Sequence, residues 1–461
     1  MLNDIIAALS TPVGRGGVAV IRVSGQGCHE KISRIFFPKS KKTLEDYPPR
    51  FAVYGDIRDE RSVIDTALVT RFSSPSSFTG EDMVEISCHG GYIVSSMVLE
   101  AVLSCGIRMA EAGEFTRRAF INNKLSLSEA EAIGDVLSAV SREGVRLSTS
   151  QASGVLGNKM EEITSRLTSL ISSLYAYIDY PDEDLEDVDD DTLADEITLL
   201  IDECKALIST YRTGNAITHG VPTVIVGKPN VGKSSLFNVL LKDEKAIVTD
   251  IPGTTRDVLE YSADVKGVSL RLIDTAGLRD KTCDAIEEMG MDIARARLTA
   301  PETSLILALF DTSRAFDSDD GRLLDTLKEL EGKTVIPVFT KGDLEEKLDR
   351  APIVEALGEG IVISSFSKEG IERLENRIFE SFIGEEFPSP ESAMLTSIRQ
   401  KSVVERGLDG LLRAKRELET GLKDMTGMTL EEALSSLLEV DARSAGEKIV
   451  DEIFSKFCVG K

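Results

Sequence analysis

The chain has 461 residues, a formal net charge of −25 and an apolar fraction of 42%. This length exceeds one ordinary domain and the composition is that of a folded globular protein, so we expect about three domains. The negative charge argues against a protein that coats nucleic acid non-specifically, because broad phosphate binding requires a basic surface.

The first segment, residues 1–118, predicts a small α+β domain. Short β-like runs are separated by Gly, Pro and Ser, and they are Gly17–Val23, Phe51–Tyr54, Ala67–Phe72 and Met83–Ser87. Residues 1–50 contain eight Lys or Arg against four Asp or Glu, so an RNA partner can still meet a locally basic face. His89 lies on a glycine turn, where a structural hydrogen bond and polarisation of a ligand are both open interpretations.

From about residue 119 the apolar pattern becomes helical, which predicts the first half of a helical domain over residues 119–216. Apolar residues recur at spacings of three, four and seven, typical of one face of a long helix, and they are Val155, Leu156, Ile163, Leu167, Leu170, Ile171 and Leu174. Between Asp179 and Glu196 there are eleven acidic residues and no Lys or Arg. We interpret this run as a solvated loop between helices.

A phosphate-binding loop follows the buried run Val221–Val226. It reads Gly227-Lys-Pro-Asn230-Val231-Gly232-Lys233-Ser234-Ser235, and a helical run, Leu236–Leu241, comes after it. The two glycines allow the backbone N–H groups to turn toward phosphates. Lys233 is predicted to reach the β- and γ-phosphates, and the Ser234 hydroxyl to bind Mg²⁺.

Two further segments follow the phosphate loop in the order expected for loops that sense the γ-phosphate. The loop Asp250–Asp257 contributes Thr255 as a candidate Mg²⁺ ligand, and the strand-like run Val268–Ile273 ends in Asp274-Thr275-Ala276-Gly277. We expect Asp274 to hold the metal through water and Gly277 to offer its N–H to the γ-phosphate. Lys233, Thr255 and Gly277 are therefore catalytic candidates.

A motif for guanine selectivity follows the strand-like run Thr334–Phe339. It reads Thr340-Lys341-Gly342-Asp343. The Asp343 carboxylate can accept two hydrogen bonds from the N–H edge of guanine, and Lys341 can cover the base. Ile361–Ile363 then leads into Ser364-Ser365, where a backbone N–H commonly meets the guanine oxygen. Thr340 replaces the usual Asn and Ser365 the usual Ala, which bears on nucleotide affinity but not on nucleotide identity.

The five motifs in this order predict an α/β P-loop GTPase domain over residues 217–383, inserted into the helical domain. The second half of the helical domain is predicted over residues 384–461, where the helical pattern resumes after the break Phe387-Pro-Ser-Pro390 with Val404, Leu408, Leu411, Leu412, Leu418, Leu422, Ile449, Val450, Ile453, Phe454 and Phe457. The predicted fold is thus multidomain, with an α+β N-terminal domain, an all-α helical domain and the inserted GTPase domain.

The sequence also predicts a cytoplasmic protein with reduced thiols. It contains no run of about 18 apolar residues, and Met1-Leu-Asn-Asp4 lacks the basic region of a secretory signal. Its six cysteines form no CxxC pair and it has only three histidines, so no zinc set is expected.

Motifs outside the GTPase segment complete a family pattern. They are Thr11-Pro-Val-Gly-Arg-Gly-Gly17, Ser77-Phe-Thr-Gly-Glu-Asp82, His89-Gly-Gly91, Gly113-Glu-Phe-Thr-Arg-Arg-Ala-Phe120, Asn123-Lys-Leu125, Ala130-Glu-Ala-Ile133 and Phe457-Cys-Val-Gly-Lys461. With these and the GTPase motifs, the chain resembles the MnmE (TrmE) family of tRNA-modification GTPases over essentially its whole length.

The resemblance implies a homodimer formed through an N-terminal folate-binding domain. It also implies a heterotetramer with the flavoprotein MnmG (GidA) that installs an aminomethyl or carboxymethylaminomethyl group at C5 of the wobble uridine of certain tRNAs. The one-carbon donor would be 5-formyl- or 5,10-methylene-tetrahydrofolate, and the family's folate contacts map onto Arg22, Glu85, Lys124 and Lys461. Cations suit the glutamate tail and a carboxylate suits the pterin N–H groups; without the family, Arg22 and Lys124 also fit plain surface charges.

The family further uses K⁺ in place of an arginine finger, which the resemblance assigns to Asn230, Thr249, Ile251 and Thr254. An oxygen cage fits a hard cation. The water-orienting residue maps onto Glu287, with Glu288 as a one-residue alternative. Arg256 and Arg279 fit arginine fingers or structural ion pairs, and Cys458 fits packing or catalysis.

Two other classes of function are alternatives. One is a non-catalytic GTPase switch that recruits partners, for example in ribosome assembly, and the other is a helical dimer scaffold. The folate set and the Cys-Val-Gly-Lys ending favour the modification enzyme over a switch, because a switch has no need of either.

Overall fold

A computed structural model of the chain describes residues 4–179, 190–241, 260–273, 298–441, 453–455, 457, 459 and 460. The fold divides into two compact units. The first consists of Met1–Gly134, Ala152–Ile197 and Asp409–Lys461, and the second of Asp135–Gln151 and Thr198–Leu408. Each unit is therefore assembled from segments that are far apart in the sequence.

A seven-stranded sheet in the order β3-β4-β5-β6-β2-β1-β7 organises the start of the first unit. Neighbouring strands are antiparallel except β1 and β7, which are parallel. The strands are β1 (Ile6–Leu9), β2 (Val18–Ser24), β3 (Phe36–Pro38), β4 (Ala52–Arg58), β5 (Val63–Phe72), β6 (Met83–His89) and β7 (Arg108–Met109). The four predicted strands are confirmed within a few residues, whereas β1, β3 and β7 were not predicted.

Alternation along these strands separates a core face from a second, more polar face. Ile21 and Ile86 are buried in the core with the helices Cys28–Ile32 and Tyr92–Ser104. Arg22 is adjacent to Ile21 along β2 and Glu85 is adjacent to Ile86 along β6, so both lie on the opposite face of the sheet.

Long helices complete the first unit. The helix Val155–Asp179 packs against the helix Lys423–Leu438, and Gly427 permits the close approach because an added Cβ would lie 3.0 Å from the Tyr175 ring. The predicted apolar face is confirmed, since its buried residues include Leu156, Ile163, Leu167, Leu170, Ile171 and Leu174. The other helices here are Glu114–Ile121 and Leu127–Ser138.

The helix Ile398–Glu419 buries Val404, Leu411 and Leu418, as the pattern predicts. Leu422, which the predicted helical pattern includes, lies three residues beyond the end of this helix and is 49% exposed. Ile449 and Val450 lie outside the described residues. The helix Ile398–Glu419 has residues in both units, and so does the long helix Asp190–Ser209.

The second unit contains a six-stranded sheet in the order β13-β12-β11-β8-β10-β9, parallel except for the β9–β10 pair. The strands are β8 (Val221–Gly227), β9 (Glu260–Val265), β10 (Val268–Ile273), β11 (Leu305–Asp311), β12 (Thr334–Thr340) and β13 (Ile361–Val362). Its helices include Arg142–Ala152, Tyr211–His219, Lys233–Leu241, Ser318–Lys328, Ala351–Leu357 and Ile371–Phe382.

Every residue of β11 is buried, as expected for a central parallel strand covered on both faces. Leu305, Leu307 and Leu309 face one apolar cluster, and Ile306 and Phe310 face the other. The carboxyl ends of the parallel strands β8, β11, β12 and β13 meet at one edge of the sheet, the usual place for a ligand site in an open α/β sheet.

Among the described residues, no helix has the length and apolar character required to cross a bilayer. The cysteines described, Cys28, Cys88, Cys105 and Cys204, are free thiols. Burial raises the pKa of Cys88 to about 11 and that of Cys204 to about 12, so neither is a ready nucleophile.

Candidate functional site

The phosphate loop begins where β8 ends and runs into the helix Lys233–Leu241. Gly227 has φ 151°, and a Cβ there would lie 2.7 Å from the Leu309 carbonyl oxygen; Gly232 has φ 109°. Asn230 also has a positive φ of 58°, which Asn tolerates better than most residues. The loop thus requires its two glycines, because both have φ values that other residues rarely adopt.

Lys233 lies over this loop. Its ammonium donates 2.8 Å hydrogen bonds to the carbonyl oxygens of Gly227 and Lys228, and burial lowers its pKa. Ser234 and Ser235 are exposed in the first turn of the following helix, where unpaired backbone N–H groups and the helix dipole favour an anion. The residues present therefore fit a phosphate group, and the exposed Ser234 hydroxyl fits a ligand for Mg²⁺.

Lys228 contacts the connection between β11 and the helix Ser318–Lys328, and the sequence did not predict this contact. Its ammonium donates to Asp317 Oδ2 at 2.8 Å and to Asp320 Oδ2 at 2.7 Å. Asp317 is the N-cap of the helix Ser318–Lys328 and forms a capping box with Asp320. The spacing Asp-x-x-Asp before an apolar run signals the cap, but only the fold shows that the cap also holds the phosphate loop.

The guanine loop follows β12. Lys341 has φ 59°, and its ammonium lies 2.5 Å from Asp311 Oδ2. Burial raises the pKa of Asp311, but hydrogen bonds from Lys341 and Ser313 outweigh it and the net pKa is below the ordinary value. Asp343 is exposed and therefore open to a base.

Thr340 is buried at the end of β12, with 2% of its surface exposed. Its hydroxyl lies 2.7 Å from the Val231 carbonyl oxygen, to which it donates, and 3.2 Å from that of Phe310. The usual Asn would tie the base loop to the phosphate loop, and here the threonine hydroxyl makes that connection.

The loop after β13 lies beside the guanine loop, because the Gly342 N–H donates to the Ile363 carbonyl oxygen at 3.0 Å. Ser364 is buried, and its hydroxyl accepts a hydrogen bond from the Ser367 N–H; Ser365 is half-buried. The fold thus brings the phosphate loop, Thr340–Asp343 and Ser364–Ser365 to one sheet edge. The other predicted GTPase residues lie outside the described residues, and they are Thr249, Ile251, Thr254, Thr255, Arg256, Asp274, Thr275, Ala276, Gly277, Arg279, Glu287 and Glu288.

A second candidate site lies on the polar face of the seven-stranded sheet. Arg22 on β2 is directly opposite Glu85 on β6, and its Nη2 and Nε donate to Glu85 Oε1 at 2.9 and 3.0 Å. The guanidinium carbon is 5.3 Å from the ring centroid of Phe78 and 5.8 Å from that of Phe115. Both charged side chains remain partly exposed, at 21% and 29%.

Lys124 reaches the same neighbourhood from the end of the helix Glu114–Ile121. An added Cβ on Gly80 would lie 3.1 Å from Lys124 Cγ, so the lysine stem lies against the loop that also carries Phe78. The Asn122 amide fixes this connection by donating to the Thr79 carbonyl oxygen at 2.7 Å. Three of the four predicted folate residues are thus near one loop, and the fourth, Lys461, lies outside the described residues.

An ion network around the buried Arg118 was not predicted. Arg118 is 1% exposed and donates to Asp4, Glu81 and Glu114 at 2.8, 3.2 and 2.9 Å, measured to carboxylate oxygens. Ser24 donates to Glu81 at 2.8 Å. The sequence signal that could have revealed the network is the pair of motifs at residues 77–82 and 113–120, because each places charged residues near Phe78 or Phe115.

The described residues near the carboxyl end lie against the segment from Ala112 to Phe120. Val459 pairs with Ala112 in an antiparallel bridge, and the Phe120 and Phe454 ring centroids are 6.2 Å apart. Gly113 has φ 66°, and a Cβ there would meet the Phe454 carbonyl oxygen at 2.5 Å. Phe454 and Phe457 pack in one apolar cluster with Phe120, Leu127 and Ala130, while Cys458 lies outside the described residues.

His89 forms a structural contact with Asp65, which agrees with the first of the two interpretations given for it. Its Nδ1 lies 2.7 Å from Asp65 Oδ1, and its backbone N–H donates to Asp65 Oδ2 at 2.8 Å.

Two family models match the chain: the GTP-binding protein TrmE N-terminus over residues 5–124 and the MnmE helical domain over residues 127–458. Among its relatives are proteins named tRNA modification GTPase MnmE from Carboxydothermus hydrogenoformans (38% identical over 464 residues) and Clostridioides difficile (36% over 463), each alignment covering 100% of both chains. The G domain of the T. maritima FeoB iron transporter is a solved structure with 32% identity, covering 35% of this chain and 97% of that one, with a TM-score of 0.27. The chain is therefore a member of the MnmE (TrmE) family of tRNA modification GTPases.

Proposed function

We propose that this GTPase acts with the flavoprotein MnmG (GidA), in a heterotetramer, to install aminomethyl or carboxymethylaminomethyl groups at C5 of the wobble uridine of certain tRNAs. The observation that carries the proposal is the presence, in one chain, of a guanine-nucleotide edge and of the Arg22–Glu85 pair, with Gly460 held at the end of the strand next to Arg22. The proposed location is the cytoplasm, and the proposed domains are residues 1–118, 119–216, 217–383 and 384–461.

In the nucleotide half, Lys233 would exchange its bonds to loop carbonyls for bonds to the β- and γ-phosphates of GTP. Ser234, Thr255 and Asp274 would hold Mg²⁺, which neutralises phosphate charge when bound. Asp343 would accept the two N–H groups of guanine, Gly277 would bind the γ-phosphate, and Glu287 would orient the attacking water.

Potassium is proposed as the second cation of this half, held by Asn230 together with oxygens of Thr249, Ile251 and Thr254. Asn230 supports this because it is exposed on the phosphate loop, three residues before the helix Lys233–Leu241 begins. We propose that K⁺ favours pairing of two GTPase domains and so accelerates hydrolysis.

In the N-terminal half, Glu85 would accept the pterin N–H groups of 5-formyl- or 5,10-methylene-tetrahydrofolate. Arg22, Lys124 and Lys461 would bind the acidic parts of the folate. The paired Arg22 and Glu85 support this assignment, because both remain partly exposed and can exchange their mutual bond for ligand bonds. The homodimer is proposed to form through this domain.

Mass spectrometry of wobble uridines tests the proposal. A deletion strain should lack the modification, and the wild-type gene should restore it, whereas Arg22→Met and Asp343→Asn should not. Restoration by Arg22→Met with normal GTP hydrolysis would instead favour the partner-recruiting switch. Normal modification in the deletion strain would exclude the proposed function.

A further inference from the structure

We infer that Thr340 sets how this chain recognises guanine: the base is bound without a hydrogen bond from residue 340 to N7, because the Thr340 hydroxyl proton is already engaged by the phosphate loop. The inference rests on the proposed guanine site and specifies its recognition of the purine.

The hydroxyl of Thr340 has one proton and two acceptors close to it. The Val231 carbonyl oxygen, at 2.7 Å, is the nearer, and the Phe310 carbonyl oxygen is at 3.2 Å. The residue is 2% exposed, so both contacts lie in the interior. Its own carbonyl oxygen accepts from the Thr312 hydroxyl at 2.8 Å, which holds the same backbone from the other side. Moving the proton toward a ligand would leave the Val231 carbonyl without this donor in a buried place, which is unfavourable.

The chemistry of guanine explains why this matters. Guanine presents N7 and O6 as acceptors on one edge and N–H donors on another. An asparagine amide carries two N–H donors, so it can hold a loop carbonyl with one and offer the second to a base. A threonine hydroxyl has a single donor. The exposed Asp343 still accepts the N–H edge, so selection of guanine over adenine persists while N7 is not read by residue 340.

The hydrogen bond also links two parts of the nucleotide site. Val231 is 1% exposed, between Asn230 and Gly232 in the phosphate loop, and Thr340 leads directly into Lys341–Asp343. Loss of the hydroxyl should therefore weaken the binding of every nucleotide that contacts both loops, whichever atom occupies position 7 of the purine. Thr340 acts here as a positioning residue.

The experiment is a competition between GDP and 7-deaza-GDP, in which a C–H group replaces N7, for the full-length protein. The wild-type protein should bind the two within about twofold of each other. Thr340→Asn should bind GDP more tightly than 7-deaza-GDP by about threefold to tenfold, the value of one neutral hydrogen bond. Thr340→Ser, which keeps the hydroxyl, is the matched control and should behave as wild type.

Thr340→Val removes the hydroxyl at nearly constant volume and should weaken GDP and 7-deaza-GDP by the same factor. A wild-type protein that binds 7-deaza-GDP tenfold or more weakly than GDP would overturn the inference alone. Loss of GDP binding itself in wild type would overturn the guanine site and this inference together. Because the wild-type comparison decides, poor folding of a variant leaves the test intact.

Discussion

Ser10 and Gly460 are 450 positions apart in the sequence, yet the Ser10 hydroxyl donates a hydrogen bond of 3.0 Å to the Gly460 carbonyl oxygen. Gly460 has φ 99°, and a Cβ there would lie 2.4 Å from the Leu9 carbonyl oxygen. Chain ends normally fray. Here the end is held at β1, which pairs with the β2 strand that carries Arg22. Gly460 thus contacts the end of the strand that pairs with the Arg22 strand of the proposed folate site.

Deleting residues 458–461 is expected to abolish tRNA modification and weaken folate binding while leaving K⁺-stimulated GTP hydrolysis nearly intact, because the phosphate loop belongs to the other unit. Gly460→Ala should have the same effect in milder form, since its Cβ clashes with backbone. Gly421→Ala is the matched control, with φ 76° but no atom within 4 Å of the added Cβ. Folate titration and GTPase assays measure both activities. Normal folate affinity with normal modification after the deletion would contradict the site assignment.

Glu85→Gln is expected to weaken binding of 5-formyl-tetrahydrofolate by about tenfold to a hundredfold, because it removes a charged acceptor worth about 1.5–3 kcal/mol. Calorimetric titration of the full-length protein measures this. Glu30→Gln is the control, since Glu30 is an exposed acid in a surface pair with Arg34. Equal folate affinity in the two variants would exclude Glu85 from the folate site.

Asp343→Asn is expected to shift the preference of the protein from guanine toward xanthine nucleotides. The carboxylate accepts two N–H groups, whereas the amide accepts one and donates one, which matches the additional carbonyl group of xanthine. Competition between GDP and XDP checks the shift, with the nearby exposed Glu345→Gln as control. Unchanged GTP affinity and selectivity in Asp343→Asn would rule out the assignment.

GTP hydrolysis is expected to be stimulated by K⁺ and much less by Na⁺, because an oxygen cage is sized to the larger ion. Asn230→Ala should erase the difference. Since Asn230 has φ 58°, Asn230→Gly is a cleaner variant that removes the side chain without backbone strain. Steady-state rates at equal ionic strength are the measurement, and equal wild-type rates in the two salts would reject the potassium proposal.

Arg118→Met is expected to destabilise the first unit by about 1.5–3 kcal/mol, because it removes the charge-assisted hydrogen bonds of a buried guanidinium to Glu81 and Glu114, while Arg108 still pairs with Glu114. Urea denaturation gives the change in the free energy of unfolding. Arg34→Met, which breaks the exposed pair with Glu30, should change it by less than about 1 kcal/mol. Similar effects of the two substitutions would show that the network adds little stability.

The same network makes stability depend on pH. Burial raises the pKa of Glu114, but hydrogen bonds from Arg108, Arg118 and the Glu111 N–H outweigh it, so the net pKa lies below the ordinary value of 4.5. A carboxyl whose pKa is lowered by folding stabilises the fold above its unfolded pKa and loses that effect as the pH falls through its folded pKa. The free energy of unfolding should therefore decrease below about pH 4.5. Denaturation at several pH values checks this, and a flat profile would contradict it.

Several features of this protein could be predicted from sequence because they depend on residues that are adjacent along the chain. The phosphate loop and guanine loop are short runs whose neighbours along the chain determine the backbone, so roles for Gly227, Lys233 and Asp343 could be predicted from sequence. Strands with strong alternation and the long apolar helix faces were also predicted. In contrast, β7 has two residues and β1 is Ile-Ala-Ala-Leu, too short and too rich in alanine for a strand signal.

Tertiary structure alone decided the contacts that complete the sites. Thr340 meets Val231 across 109 positions, Arg118 meets Asp4 across 114, and Ser10 meets Gly460 across 450. A sequence pattern reports the periodicity and turn chemistry of adjacent residues, whereas the partner of a buried hydroxyl or guanidinium depends on which elements pack together. The motifs therefore determined the chemistry of this GTPase, and packing determined which distant side chains hold that chemistry in place.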